Sequence, residues 1–94
     1  MSTVIDNPAA HRFELPIEGS DGEIAAAYYR MEDGRLILTH TDVPYRFTGQ
    51  GVGSRLARGV FDTIRARGDK VVLRCSFMGA YYARHPQYSD IVVG

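Results

Sequence analysis

Three glycines at alternate positions, Gly49, Gly51 and Gly53, form the segment of this chain whose residue types best suit chemistry. Glycine allows positive φ angles and lets a ligand approach the backbone closely. A helical pattern follows, so the glycines stand where a helix N-terminus presents unpaired N–H groups and the positive end of its dipole. This arrangement predicts a phosphate-binding loop that needs no charged side chain. The alternative is a tight loop that only packs the helix against a sheet.

Two familiar phosphate motifs do not fit this loop. A P-loop needs a Gly-Lys-Ser/Thr run after its glycines, whereas this sequence reads Gly51-Val52-Gly53-Ser54-Arg55, which excludes it. A dinucleotide fingerprint would put Ser54 in the place of its last glycine and needs an acidic residue after the next strand. Asp69 comes before that strand, and 94 residues are too few for a doubly wound sheet.

The element before the loop is predicted to be a strand over residues 35–43. Residues two apart in a strand lie on the same face of the sheet. Pro44 ends the strand because it has no N–H for a ladder. One face is expected to carry Leu36, Leu38, His40 and Asp42, and the other Ile37, Thr39, Thr41 and Val43.

The element after the loop is predicted to be a helix, because apolar residues recur every four positions from Val52 to Ile64. Arg65 and Arg67 suit its last turn, and Gly68 suits the position just after it. The other predicted elements are a loosely held N-terminal arm over residues 1–10, strands over 11–17, 23–31, 71–75 and 91–93, and a short helix over 79–84.

Composition limits the classes that remain. The chain has 94 residues, enough for a single domain, with 45% hydrophobic and 23% charged residues. One cysteine excludes an internal disulfide, and with three scattered histidines we expect no metal site. No stretch approaches the ~20 apolar residues of a membrane helix, and the N-terminus lacks the features of a secretory signal. We therefore expect a cytoplasmic protein with no membrane partner.

Charge is divided unevenly along the chain. Residues 1–42 carry eight acidic and three basic residues, whereas residues 43–94 carry eight basic and three acidic ones. A basic half suits an anionic partner, but charge alone favours the alternative, a set of solvated surface residues without functional meaning. The basic residues do not form a stripe and no aromatic platform accompanies them, so we do not expect nucleic acid to be the partner.

The segments around the loop resemble a known family. Residues 38–44 and 49–56 look like the acetyl-coenzyme A (acetyl-CoA) site of the GNAT acetyltransferases, and residues 75–78 and 81–88 resemble its small, minimal YjdJ-like branch. The likeness runs from about residue 11 to residue 93. It implies an α+β, minimal GNAT-like fold, with a central mostly antiparallel sheet in which two splayed parallel strands flank the helix that follows the glycine loop.

The resemblance also implies a function and a coenzyme site. The function is acetyl-CoA-dependent N-acetyl transfer to an amine, with the Val43 N–H facing the thioester carbonyl. The family pattern places Arg or Gln where this chain has Thr48, so one pyrophosphate contact is missing unless Arg46 supplies it. The implied coenzyme-binding residues are Val43, Thr48, Gly49, Gln50, Gly51, Val52, Gly53 and Ser54.

The catalytic candidates are a tyrosine, a cysteine and a histidine. The wider family uses a tyrosine after the second splayed strand to protonate the departing thiolate. Resemblance to the small branch implies Tyr81, which we favour, whereas the broader family pattern implies Tyr82. Cys75 either takes the acetyl group first, as a nucleophile, or is an inert buried cysteine. His40 either relays the proton of the amine, pairs with Cys75, or is structural.

The acceptor stays open at this stage. The wider family has helices before its central hairpin, and here about ten residues precede the first predicted strand. We therefore expect an open acceptor side that suits a macromolecular amine, and a monomer or weak homodimer. The alternative to an enzyme is a non-catalytic module that binds acetyl-CoA or coenzyme A, or acts as a scaffold.

Overall fold

The structure, a computed structural model, describes residues 4–94. Short 3-10 turns cover Pro8–Ala10, Tyr45–Phe47 and Pro86–Tyr88. The strands and α-helices are β1 (Ile5–Asn7), β2 (Arg12–Pro16), β3 (Ile24–Glu32), β4 (Arg35–Asp42), α1 (Val52–Arg67), β5 (Val71–Leu73) and α2 (Ser76–Arg84).

The five strands found within residues 4–94 form one sheet in the order β1-β2-β3-β4-β5. Neighbouring strands are antiparallel except for β4 and β5, which are parallel and are joined through α1. The predicted α+β class is thereby confirmed. The predicted mostly antiparallel sheet is confirmed too, with its one parallel pair formed by the strands that precede and follow the glycine-loop helix in the chain.

Both α-helices pack on the same face of the sheet and share one hydrophobic core with it. The helix α1 buries the predicted apolar stripe completely, because no residue of the stripe is more than 2% exposed. Each large side chain buried in this way contributes roughly 1.5–3 kcal/mol. The helix ends as predicted: Gly68 has a φ of 75° and its N–H donates to the Arg65 carbonyl at 3.0 Å.

The prediction of a loosely held arm is wrong for residues 5–10. Residues 5–7 pair with β2, and Asp6 accepts a hydrogen bond from Nη1 of Arg67 on α1 at 2.8 Å. Asn7 donates to Glu14 at 2.9 Å and caps the following turn by accepting from the N–H of Ala10. A strand of three residues is too short for an alternating pattern, so periodicity missed it. Residues 1–3 of the arm lie outside the described residues.

The predicted faces of β4 are wrong beyond Leu38. Tyr29 pairs with Leu38 and Tyr28 pairs with His40, so Thr39 is an extra residue on β4, and its hydroxyl donates to the Tyr28 carbonyl at 3.3 Å. Such a bulge reverses the alternation of every residue after it. The core face therefore carries Leu36, Leu38, Thr41 and Val43, and the outer face Ile37, His40 and Asp42.

The last elements differ from the prediction at their boundaries. The strand β5 ends at Leu73 rather than at Cys75, and α2 begins at Ser76 rather than at Gly79. Cys75 is the N-cap residue of α2, and its carbonyl accepts the N–H of Gly79 at 3.0 Å. The predicted final strand is reduced to a single parallel bridge between Val92 and Val71. Neither α-helix within residues 4–94 has the length and apolarity that a membrane crossing requires.

Candidate functional site

The glycine loop brings the chain from β4 to α1 through two left-handed residues. Gly49 has a φ of 81° and Gly51 has a φ of 78°. Residues with a Cβ rarely adopt such positive φ angles. Gly51 caps α1 without any side-chain hydrogen bond to the cap. The first hydrogen bond of the helix runs from the N–H of Arg55 to the Gly51 carbonyl at 3.0 Å.

The amides at the start of α1 have no partner. Within residues 4–94, no carbonyl or side chain accepts the N–H of Gly51, Val52, Gly53 or Ser54. The N–H of Gln50 is the exception in the predicted loop, because it donates to the Phe47 carbonyl at 3.3 Å. Four unpaired donors at a helix N-terminus suit an anion.

These amides belong to an open groove with a volume of about 240 Å³. Six of the eight predicted binding residues line it, whereas Gln50 is exposed outside it and the Val52 side chain is buried in the core. Phe47 and Phe77 complete the walls and were not predicted. Their only sequence signal is aromatic character near the glycines and near Cys75. The residues lining the groove are Val43, Phe47, Thr48, Gly49, Gly51, Gly53, Ser54 and Phe77.

The two parallel strands part beside this groove. Their ladder ends where Leu38 pairs with Leu73, and the last backbone bond runs from the N–H of Arg74 to the Leu38 carbonyl at 2.9 Å. Val43 lies beyond that point, and no carbonyl in the described part of the chain accepts its N–H. A gap between the strands thus begins after Leu38 and opens toward the groove.

Cys75 lies at the start of the gap. Its side chain is 9% exposed and its Sγ is 3.2 Å from Oγ1 of Thr41, in a hydrogen bond for which either atom can be the donor. The thiol thus lies on the core face of β4, next to the gap, and at the first residue before α2.

His40 is not brought together with Cys75. Successive side chains of a strand point to opposite faces, and Thr41, not His40, faces the thiol. The His40 ring lies on the outer face with its centroid 5.9 Å from that of Tyr28. The Tyr28 hydroxyl in turn accepts a hydrogen bond from Nη1 of Arg12 at 3.1 Å.

Tyr81 is a core residue, 4% exposed. Its ring stacks on those of Phe61 and His85, with centroid distances of 5.7 and 3.9 Å. Burial, with a smaller effect of the Asp62 charge, raises the pKa of its phenol. Tyr82 is half-buried at the edge of the core, and neither tyrosine lines the groove.

Comparison with known proteins decides the family. A model of the GCN5-related N-acetyl-transferase family matches residues 12–91. This chain belongs to the GCN5-related N-acetyltransferases. The solution structure of a GCN5-like protein from Staphylococcus aureus matches with a TM-score of 0.71 at 24% identity, over 98% of this chain and 88% of that one, which shows a common fold. A comparison with curated proteins finds no match.

In this GCN5-related N-acetyltransferase, Thr48 stands where the resemblance implies Arg or Gln, and the structure shows how the position is used. The Thr48 hydroxyl donates to the Tyr45 carbonyl and so holds the turn before the glycines. Arg46 is also engaged: its Nε donates to Glu23 at 2.8 Å, and its guanidinium lies 4.8 Å from the Phe47 ring centroid. Thr48 has no charge, and the Arg46 guanidinium is paired with Glu23, so neither residue offers an unpaired cation to the groove.

Among residues 4–94, no three His, Cys, Asp or Glu side chains lie close enough together to hold a metal ion.

Proposed function

We propose that this protein transfers an acetyl group from acetyl-CoA to an amine. The observation that carries the proposal is the set of four unpaired amides, Gly51 to Ser54, which open onto a groove beside the gap between β4 and β5. The pyrophosphate of the coenzyme is the anion that this site takes, because it accepts several N–H donors at once and interacts favourably with the helix dipole. The basic half of the chain adds favourable potential.

The pantetheine arm of acetyl-CoA would run from these amides along the apolar walls that Val43, Phe47 and Phe77 provide. Its thioester would then reach the gap after Leu38. The unpartnered N–H of Val43 is available to the thioester carbonyl, where it would stabilise the oxyanion that forms when the amine attacks. A donor of this kind contributes roughly 10²–10³ in rate.

Direct transfer is the reaction we favour. The nitrogen of a neutral amine attacks the carbonyl carbon, a C–N bond forms, the C–S bond breaks, and the amine loses a proton as the thiolate leaves. A thiol with a pKa of ~8.5 is a fair leaving group, so its protonation makes little demand on an acid. The only support for Tyr81 as the acid is the family resemblance. Its ring is stacked and buried, and a purely structural role would explain that position equally well.

Cys75 and His40 are further candidates for a direct part in the reaction. Cys75 lies close to the gap, where its thiolate can attack the thioester first and pass the acetyl group to the amine, releasing coenzyme A in between. His40 is exposed on the outer face and can take the proton of an amine that approaches from there. No α-helix covers that face within residues 4–94, which supports a macromolecular acceptor.

Titration calorimetry with acetyl-CoA and with free coenzyme A tests the coenzyme site. The variant Ser54→Pro deletes one amide donor in the first helical turn, where proline is tolerated. We expect it to weaken binding about tenfold, the value of one hydrogen bond to a charged group. The control Ser54→Ala keeps the amide and removes only the hydroxyl, so it should stay within about threefold of wild type. Absence of binding at millimolar coenzyme would refute the proposal.

A second candidate is a non-catalytic module that binds acetyl-CoA. It is favoured by the use of the Thr48 hydroxyl inside the loop and by the absence of Tyr81 and Tyr82 from the lining of the groove. Release of free thiol, measured over a broad panel of small amines, peptides and proteins, separates the two. Turnover of any of these amines establishes the enzyme, whereas binding without turnover across the panel favours the module.

A further inference from the structure

The segment that leads from β4 into the glycine loop is held to the rest of the protein by one side chain. This segment, residues 44–50, carries the wall residue Phe47. In the described part of the chain its hydrogen bonds all stay inside the segment, except those of the Arg46 side chain. Arg46 Nε donates to a carboxylate oxygen of Glu23 at 2.8 Å, and its Nη2 donates to the same oxygen and, at 3.3 Å, to the Ser20 carbonyl.

The turn between β2 and β3 is the anchor of this link. Ser20 is buried, and its hydroxyl donates to the Ile17 carbonyl and accepts the N–H of Glu23 at 3.1 Å. The N–H of Ile17 donates to the Glu23 carbonyl at 3.0 Å and closes the turn further. A buried serine with its hydrogen bonds made fixes the backbone that carries the Glu23 carboxylate. Arg46 is therefore attached to a well-held part of the protein.

The other end of the link covers the ring of Phe47. The guanidinium carbon of Arg46 lies 4.8 Å from the centroid of that ring, within the range of a cation–π interaction. Phe47 is half-buried, packs against the hydrophobic core and also lines the groove. The paired guanidinium thus restrains a ring that forms one wall of the groove.

We propose that Glu23, acting through Arg46, is a positioning residue that fixes Phe47 for the pantetheine arm of the coenzyme. The inference rests on the proposed coenzyme site. A wall that is held in place before the ligand arrives needs less ordering when the ligand binds, and this favours affinity. Because Glu23 takes two N–H donors of Arg46, the guanidinium serves the ring and not the pyrophosphate.

Glu23→Gln tests the inference, because positioning and charge predict opposite results. If charge alone acts, removal of a carboxylate should strengthen the binding of an anionic ligand. If Glu23 positions the wall, coenzyme A should bind about threefold more weakly, the value of an exposed ion pair. ADP carries a pyrophosphate but no pantetheine arm, so its binding should not weaken. Titration calorimetry measures coenzyme A, and NMR titration at millimolar concentration measures ADP.

Glu32→Gln is the matched control. It also removes a carboxylate from an exposed pair, to which Nε of Arg30 donates at 3.0 Å, but at the opposite end of β3 from Glu23 and the groove. We expect it to leave both affinities unchanged. A second variant, Arg46→Lys, keeps the charge but lacks the planar fork that bonds Glu23 and Ser20 together, so it should repeat the loss seen in Glu23→Gln.

The outcomes separate the inference from the function on which it rests. If the wild type does not bind coenzyme A, the proposed function fails. If the wild type binds coenzyme A and Glu23→Gln binds it at least as tightly, or weakens ADP by the same factor, the positioning role is refuted while the coenzyme site stands. Wild-type affinity of Arg46→Lys for coenzyme A would refute it equally. Urea denaturation of each variant verifies that the fold is intact.

Discussion

Gly53 on α1 lies directly against the ring of Phe77 on α2. A Cβ at position 53 would be 2.6 Å from Cζ of that ring. Gly53 has an ordinary helical φ, so the glycine is needed for close packing, in contrast to Gly49 and Gly51, whose φ angles are positive. This contact brings the first turns of the two helices together and places Phe77 on the wall of the groove.

The first prediction concerns Gly53→Ala. The added methyl group must push the Phe77 ring, which is 37% exposed, into the groove that it lines. We expect acetyl-CoA to bind about tenfold more weakly. The displaced ring must be ordered again on binding, at a cost of about 0.5–1.5 kcal/mol, and one wall of the groove is lost. Stability should change by less than about 1 kcal/mol, because alanine is a better helix former than glycine and offsets the displacement. Calorimetry and urea denaturation measure the two effects.

Gly79→Ala is the matched control, since a Cβ at position 79 of α2 would meet no atom within 4 Å. It should raise stability by up to about 1 kcal/mol and leave coenzyme binding unchanged. Unchanged binding by Gly53→Ala would show that Phe77 does not shape the site. Recovery of binding when Phe77→Leu is added to Gly53→Ala would identify the ring as the cause.

The second prediction concerns the left-handed glycine at the cap of α1. Gly51→Ala keeps the backbone amide but forces a Cβ into a φ of 78°, which costs about 1–2 kcal/mol. We expect that loss of stability together with at least tenfold weaker binding of acetyl-CoA, because relief of the strain turns the free amides away from the groove. Urea denaturation and calorimetry report the two losses separately.

Gly34→Ala supplies the comparison for Gly51→Ala. Gly34 has a φ of 75° in the turn between β3 and β4, with no neighbour within 4 Å of a new Cβ. The same strain should lower stability by a similar amount, with the affinity for acetyl-CoA unaffected. If Gly51→Ala binds acetyl-CoA as tightly as Gly34→Ala does, the conformation of Gly51 is not important for coenzyme binding.

Local signals in the sequence predicted α1 and its ends correctly. Glycine before the helix, a four-residue apolar repeat and Gly68 after it are each short-range features with one physical reason. The bulge at Thr39 has no such local signal, because it depends on how β4 pairs with β3 over its whole length. Because the bulge was not predicted, His40 was assigned to the wrong face of β4, and the contact of Thr41 with Cys75 was not expected.

The candidate site was predictable to the extent that it consists of backbone. Loop amides and positive φ angles follow from glycine spacing, and six of eight predicted residues line the groove. The apolar walls were missed because Phe47 and Phe77 come from elements 30 residues apart, and only the contact of α2 with α1 brings them to the same groove. Tyr81 illustrates the converse, since its position after β5 suggested chemistry and its ring lies in the core.

The third prediction concerns alkaline pH. The Tyr29 hydroxyl donates to Asp6 at 2.6 Å, and burial, reinforced by that hydrogen bond, raises the pKa of Tyr29 to about 12. A phenol in the unfolded chain ionises with a pKa near 10. Between these values the unfolded chain loses a proton that the folded chain retains, so the contribution of Tyr29 is complete below about pH 10 and is lost as the pH rises toward 12.

Urea denaturation between pH 8 and pH 11.5 measures this effect. The free energy of unfolding of the wild type should fall by up to about 1.4 kcal/mol per pH unit for each such tyrosine, and Tyr29→Phe should fall less steeply. Tyr45→Phe, at a side chain 94% exposed, is the control and should keep the wild-type slope. Equal slopes for the wild type and Tyr29→Phe would contradict the prediction.

The fourth prediction restores the family residue at position 48. Thr48 lines the groove beside the free amides, and its hydroxyl only holds the Tyr45 carbonyl. Thr48→Arg places a cation where the family pattern has Arg or Gln. We expect acetyl-CoA to bind about tenfold more tightly, as one charge-assisted hydrogen bond to the pyrophosphate gives. Loss of the hydroxyl should cost roughly 0.5–1.5 kcal/mol of stability.

Salt dependence shows whether the gain comes from the new contact. The advantage of Thr48→Arg over wild type should shrink as ionic strength rises, because added salt screens the attraction between the guanidinium and the phosphates. Ser89→Arg adds the same charge at an exposed residue that does not line the groove, so it controls for the net charge and should leave affinity nearly unchanged. Equal gains in the two variants would mean that charge alone, and not position 48, strengthens binding. No gain in either would mean that the amides of α1 already satisfy the pyrophosphate without a cation.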